Sequence, residues 1–298
     1  MAVVKRAFSL GNANFGSGKP VLIGSLFYKS DRKVKDHGRG IVDRNALSRE
    51  LKQVGVLKAR VGLDHALDVI AETPRAMENY LEVLADETKD PLLIGGLNEE
   101  TRVAGYRKAM ELDIVERCGV NSVASATTEE ELARIRETGI GFAIVQTLDP
   151  SAVLPREKID LLGGGLLGMC SNAGLKNVAV DVGIMDFTSA WLAAEAIRMI
   201  SSELGIPAGC APSNAAYQPL GSGRVSRKTA RSMNVALNTM MQLAGADFII
   251  YGPLKASSYV FEAAAMVEGI KGYGARASGK KMPDRDHPLF RYLPKLSQ

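Results

Sequence analysis

Residues 208–214 read Ala208-Gly209-Cys210-Ala211-Pro212-Ser213-Asn214. They follow Gly205-Ile206-Pro207, which breaks a helical run, so the stretch reads as a short apolar strand with Ser213 and Asn214 at its C-terminal end. An uncharged amide at such a place can hydrogen-bond a ligand nitrogen without adding charge. Asp68, Asp181 and Asn98 close other apolar runs in the same way. Four polar groups converging from strand ends imply a small heteroaromatic ligand.

Working outward, apolar runs at 21–28, 66–71, 92–95, 119–123, 142–147, 178–182, 208–211 and 247–251 read as eight strands. Between and after them lie helical patterns at 44–54, 74–87, 99–112, 128–138, 156–172, 189–204, 228–243 and 257–269. Strands alternating with helices form βαβ units on a parallel sheet, and eight units in 298 residues predict a (β/α)8 TIM barrel spanning residues 1–298 as one domain. Thr73-Pro74 and Thr127-Thr128 mark helix starts, and Gly139, Gly174, Gly205 and Gly245 mark helix ends. Polar residues crowd the strand-to-helix side, where barrel enzymes hold their sites. Residues 8–15 read as a hairpin closing the opposite end, 29–39 and 217–227 as loops at the top, and 288–293 as a segment docking on the outside. Gly163-Gly164-Gly165 marks a helix start or a break between helical pieces, and Trp191 reads as packing.

Composition excludes several classes. The chain is 46% hydrophobic and 23% charged with a formal net charge of +4, and no Lys/Arg block points to nucleic acid. Three scattered cysteines without a CxxC pair predict reduced thiols and a cytoplasmic setting. The Met1–Arg6 lead has no apolar h-region, and no run is long enough for membrane insertion. His37, His65 and His287 stand apart from one another and from the cysteines, so no protein-bound metal is expected. Gly221-Ser222-Gly223-Arg224 matches no phosphate-loop pattern and reads as a flexible loop.

Two buried carboxylates suit a ligand with N–H donors, because one carboxylate accepts two parallel bonds from an amidine-like edge. Asp68 sits in Leu67-Asp68-Val69-Ile70 and Asp181 in Val180-Asp181-Val182; a backbone partner would equally explain either acid. Asn98 follows Gly95-Gly96-Leu97, where paired glycines permit close approach, and also precedes Glu99-Glu100 as a helix cap should. Asn121 and Gln146 end two further strands.

The segments 20–28, 67–76, 90–106, Asn121-Ser122 and 209–214 resemble the H-subunit methyltransferase family of tetrahydromethanopterin S-methyltransferase. The resemblance runs from Pro20 to the eighth helix. It implies a pterin-binding barrel that moves a methyl group from a methylated corrinoid protein to N5 of tetrahydrofolate, as in bacterial members serving glycine betaine-type demethylation. A broader likeness extends to methyltetrahydrofolate:corrinoid methyltransferases and to dihydropteroate synthase. It implies Asp68, Asn98 and Asp181 as the grip on the pterin's donor edge and Asn214 as the catalytic amide near N5, with Ser213 beside it. Those relatives carry an acid where this chain has Gly95-Gly96, so Asn121 and Gln146 are expected to supply part of the grip. Asp36-His37-Gly38 fails the Asp-x-His-x-x-Gly spacing of cobalamin carriers, so the corrinoid is expected on a transient partner protein, and a homodimer through helix 189–204 is expected. Four other readings stay open: a tetrahydromethanopterin-dependent methyltransferase component, a noncatalytic pterin-binding partner, a dihydropteroate synthase-type enzyme using Lys255 in a diphosphate site, and an unrelated Schiff-base aldolase.

Overall fold

A computed structural model describes residues 6–280 and 285–296. The reading of the N-terminal lead, and part of that of the C-terminal tail, lie outside the described residues. Eight parallel strands close into a barrel: β1 (Val21–Leu26), β2 (His65–Ala71), β3 (Leu92–Gly96), β4 (Cys118–Val123), β5 (Phe142–Gln146), β6 (Asn177–Asp181), β7 (Ala208–Cys210) and β8 (Phe248–Pro253). Each pairs with its sequence neighbours, and β8 closes on β1. Helices cover the outside, so both faces of the sheet are buried and the strands need near-continuous apolar character. Helix ends follow capping chemistry. Asp43, Thr73, Asn98 and Thr128 each accept a bond from a backbone N–H in the first turn of their helix. Glycines at 139, 174, 205 and 245 take φ of +74° to +93° or, at 205, +64°, the left-handed conformation that stops a helix.

The barrel interior is filled from the bottom. Ser9, Leu10 and their neighbours form a two-stranded ladder, Phe8–Leu10 with Ala13–Phe15. It plugs the N-terminal end of the barrel as the sequence predicts. Phe8 and Phe15 stack at 5.2 Å and both meet Phe142, and Phe15 also approaches Phe248. Above them Val21, Ile23, Ala66, Leu93, Ile144, Ala179 and Ile250 belong to the same buried cluster. These residues share the inward parity of their strands. The next inward positions up are Ser25, Asp68, Gly95, Gln146 and Asp181, where the apolar filling stops.

Several expectations change. The helix expected at 44–54 runs to Val61, and the one expected at 156–172 is broken at Leu162–Leu166 by the three glycines. The top loop 29–39 contains half of a small ladder, Val34–Asp36 with Ile41–Val42. The stretch after β7 is a helix, Pro212–Gly221, rather than a strand end and loop, so Tyr217 is helical and Gly221 closes a helix. Trp191 is 62% exposed and packs little, since it falls on the solvent face of helix Ala190–Glu203 while Ala190, Ala193, Ala194 and Ile197 face the barrel. The C-terminal segment Pro288–Arg291 docks on the outside, where Leu293 fills the space left by Gly269 on helix Ser257–Ala277.

Candidate functional site

The C-terminal end of the barrel carries a layer of buried polar groups. Asp68 is buried on β2, and both of its oxygens accept bonds from the protein. Ser25 Oγ donates to Oδ2 at 3.0 Å and Asn121 Nδ2 donates to Oδ1 at 2.9 Å. Gly95 makes this possible, because a Cβ there would stand 3.1 Å from Asp68 Oδ1. Burial pushes the Asp68 carboxyl above its usual range, and the Asn121 and Ser25 bonds only partly offset it. The Asn121–Ser122 peptide is cis, and the β4–β5 register shifts between Asn121 and Val123.

Asp181 ends β6 directly beside Gln146 on β5. It is buried, and the Gly183 N–H donates to its Oδ1 at 2.8 Å. Burial pushes its carboxyl up to about 6, against the opposing pull of that N–H, the Lys158 charge and the Gln146 amide; the Asp68 charge pushes the same way as burial. The two acids therefore feel one another across the barrel mouth. Lys158, on helix Pro155–Leu161, is buried. Its ammonium donates to the carbonyls of Thr147 and Ala152 at 2.9 and 2.8 Å and pins the loop after β5. Burial lowers its pKa, and Asp181 opposes that shift.

The remaining predicted residues divide. Asn98 is exposed at the rim as the cap of helix Glu99–Glu111, its Oδ1 accepting from the Thr101 N–H at 2.9 Å. That helix is locked to its neighbour by Arg102, which grips buried Glu131 through two bonds of 2.7 and 2.6 Å and also donates to the Gly96 carbonyl. Gly96 thus serves protein packing: a Cβ there would meet the Thr101 side chain at 2.8 Å. Ser213 is buried and gives its hydroxyl to the Ile250 carbonyl of β8 at 3.1 Å. Asn214 is exposed in the first turn of helix Pro212–Gly221, not at a strand end. It lines a cavity of about 610 Å³ over β7, β8 and β1 that Ser25 and Ser213 also line. The structure thus joins Ser25, Asp68 and Asn121 by hydrogen bonds, sets Asp181 beside Gln146 at the mouth, and puts Asn214 on the neighbouring cavity. Asn98 stands apart on the rim.

Sequence reasoning misses Ser25 and a basic set, Arg32, Arg227 and Arg231, that lines the same cavity with Lys255. Ser25 carries a usable signal: it is the one inward polar position of an otherwise apolar strand. Among the described residues no group of three or more His, Cys, Asp or Glu could hold a metal ion. Among them, too, no helix is long and apolar enough to cross a membrane.

The family model described as "Tetrahydromethanopterin S-methyltransferase MtrH subunit" matches residues 10–282. The chain belongs to this family. The MtrH protein of Methanothermobacter thermautotrophicus is 29% identical over 93% of each chain. That of Methanosarcina mazei is 26% identical over 96% of each. Among solved structures, a dihydropteroate synthase of Yersinia pestis superposes with a TM-score of 0.66 at 13% identity, covering 90% of this chain and 100% of that one. A 7,8-dihydropteroate synthase of Vibrio fischeri gives 0.64 at 14%, covering 94% and 100%. At that identity the likeness is one of fold, and it agrees with the closed parallel barrel of this MtrH family member.

Proposed function

We propose that this protein transfers a methyl group between a methylated corrinoid protein and N5 of a reduced pterin, with tetrahydrofolate as the pterin. The observation that carries the reading is the polar layer of Ser25, Asp68, Asn121, Gln146 and Asp181 above an apolar barrel core, in a chain of the MtrH family. The layer fits the ligand. Each Asp68 oxygen accepts one protein bond and keeps a second lone pair, so the carboxylate can still take two N–H groups from a pterin edge. Asp181 and Gln146 offer a second acceptor pair nearby. Asn98, apart at the rim with its oxygen committed to the helix cap, can meet only an acceptor on a part of the ligand that reaches the rim.

The corrinoid, held by a separate and transiently docked protein, supplies the cobalt-bound methyl. This chain's part is to bind, orient and balance charge. Asp68 and Asp181 fix the ring so that N5 faces the open barrel mouth, converting an encounter of two ligands into a displacement within one complex. Asn214 hydrogen-bonds N5, its carbonyl accepting when N5 bears a proton and its amide donating when N5 carries the lone pair. Ser213, by bonding the β8 carbonyl, holds the turn that presents Asn214 and acts as a positioning residue.

The test is a visible-spectrum assay of the cobalt state, mixing the protein, its methylated corrinoid partner and tetrahydrofolate. Wild type converts the methylcobalt spectrum to the cob(I) form. Asn214→Ala lowers turnover about 10²-fold with little change in pterin affinity, whereas Asp68→Ala or Asp181→Ala weakens pterin binding about 10²-fold. Wild-type kinetics in all three variants would remove the assignment. The curated relatives carry tetrahydromethanopterin in their names, and this favours a second reading in which that pterin is the acceptor. Parallel titration with both reduced pterins separates the two, and turnover with neither leaves only a binding role.

A further inference from the structure

Four cations line the cavity beside the polar layer: Arg32 after β1, Arg227 and Arg231 on helix Arg227–Leu243, and Lys255 after β8. Methyl transfer at N5 does not require them. Among the described residues no Asp or Glu lines this cavity, and none of the four side chains is paired with a carboxylate. Elsewhere on the protein exposed arginines are commonly paired, as Arg156 is with Glu203 and Arg134 with Glu137. Arg227 and Arg231 stand one helical turn apart and therefore share a face. Arg231 lies 5.7 Å over the Tyr259 ring, and Tyr259 bonds Tyr217 hydroxyl to hydroxyl, so the cavity wall that carries the charge is braced. Same-sign charges converging on one cleft repel each other in the free protein and concentrate an ion of opposite sign there.

Ser25 and Asn214 also line the cavity, and the Ser25 hydroxyl is bonded to Asp68. A flat ring bonded at Asp68 with its reactive edge toward Asn214 lies next to the cavity that the cations line. We infer that the cavity holds a polyanionic tail on the pterin substrate, several carboxylates or a phosphate set among Arg32, Arg227, Arg231 and Lys255. The inference rests on the pterin reading above and adds the part of the ligand that the polar layer does not touch.

The experiment is calorimetric titration of the full chain with a tail-free tetrahydropterin, tetrahydrofolate bearing one glutamate, tetrahydrofolate bearing several, and phosphate-bearing tetrahydromethanopterin. Wild type is compared with the Arg227→Gln/Arg231→Gln double variant, both of whose sites are exposed. In wild type one of the polyanionic tails binds about tenfold or more tighter than the tail-free ring at low salt. That preference falls below about twofold in the double variant, and shrinks in wild type at about 0.5 M salt. Which tail gains most identifies carboxylate or phosphate as the anion. Equal wild-type affinity for tailed and tail-free pterins overturns the tail site and leaves the pterin reading standing. Binding of inorganic pyrophosphate with no tail preference assigns the cations to a free anion and overturns it too. Failure of every pterin to bind sinks both.

Discussion

The carboxyl of Asp181 sets a pH window for ligand binding that can be worked out from its surroundings. Burial holds it at about 6 in the free protein, above its ordinary 3.8. In the function proposed above, pterin N–H donors bond the ionised form, so binding draws the carboxylate down in pKa and releases a proton. At pH 7 the group is mostly ionised and little affinity is lost. At pH 5 only about one molecule in eleven carries the charge, so affinity is weaker by about tenfold. Calorimetry between pH 5 and 8, run in two buffers of different ionisation enthalpy, reads both the affinity and the proton release. Asp181→Asn should bind weakly at every pH and lose most of this slope; Asp68, also raised by burial, leaves a remainder. Stability moves the opposite way. A carboxyl whose folded pKa is raised favours the folded state fully below 3.8, and that contribution is lost as pH rises through 6. The displacement is about 3 kcal/mol, so the stability difference between wild type and Asp181→Asn shifts by that order between pH 4 and pH 7. A flat wild-type affinity, or an unchanged slope in Asp181→Asn, would refute the assignment of Asp181 to the ligand.

Two further outcomes follow from the scaffold. Gly252 has φ of +89°, and a Cβ there would come 2.8 Å from the Ser213 Cβ. Gly252→Ala should therefore cost about 1–3 kcal/mol in chemical denaturation and, by shifting the turn before Asn214, lower turnover more than pterin affinity. At the base, Asp90 bonds the ring of buried His65 at 2.9 Å and pairs with Lys58. Burial pushes its carboxyl up, but the His65 bond and the Lys58 charge outweigh this and hold it down at about 2; burial lowers the His65 pKa, so near neutral pH that ring acts as a neutral donor. Its contribution, about 2 kcal/mol, is present above 3.8 and is lost as pH falls through 2. Denaturant melts of Asp90→Asn should show that loss near neutral pH and a smaller difference from wild type at pH 2.

Most of the barrel is legible in the sequence because strand, cap and glycine signals are local. Apolar runs of four to eight residues between helical patterns leave few alternatives, and the eight strands fall within a few residues of where the pattern puts them. The helix after β7 is not legible for a physical reason. Thr73-Pro74 announces a helix through a hydroxyl that caps it, but Ala211-Pro212 has no capping side chain, and Pro219 lies inside the helix. The acids are legible as polar breaks in apolar strands. What they touch is not: Ser25 reaches Asp68 because neighbouring strands register Ser25 against Asp68. Arg32 and Arg231 share a cavity only because β8 closes on β1, a contact between the two ends of the chain that no local pattern encodes. Lys158 is buried through the loop after β5, whose Thr147 and Ala152 carbonyls it bonds, a contact no local pattern announces.

The buried acids explain why the lower barrel is so heavily packed. Asp68 and Asp181 sit within electrostatic reach of one another, and burial disfavours charge on both, so the mouth is under strain that a ligand with N–H donors relieves. Such a mouth cannot hold the barrel closed by itself. The closure comes from below, where the N-terminal hairpin drives Phe15 between Phe142 and Phe248 and the inward Val21, Ile23, Leu93 and Ile144 fill the layers above. Each fully buried large side chain there contributes roughly 1.5–3 kcal/mol, enough for a few of them to offset the cost of the acids. The division has a functional consequence. Because apolar packing fills the bottom layers, the top can keep buried carboxylates whose charge burial disfavours, a cluster of cations and an open rim. Those are the conditions under which a charged, N–H-rich ligand and a second protein gain most by arriving.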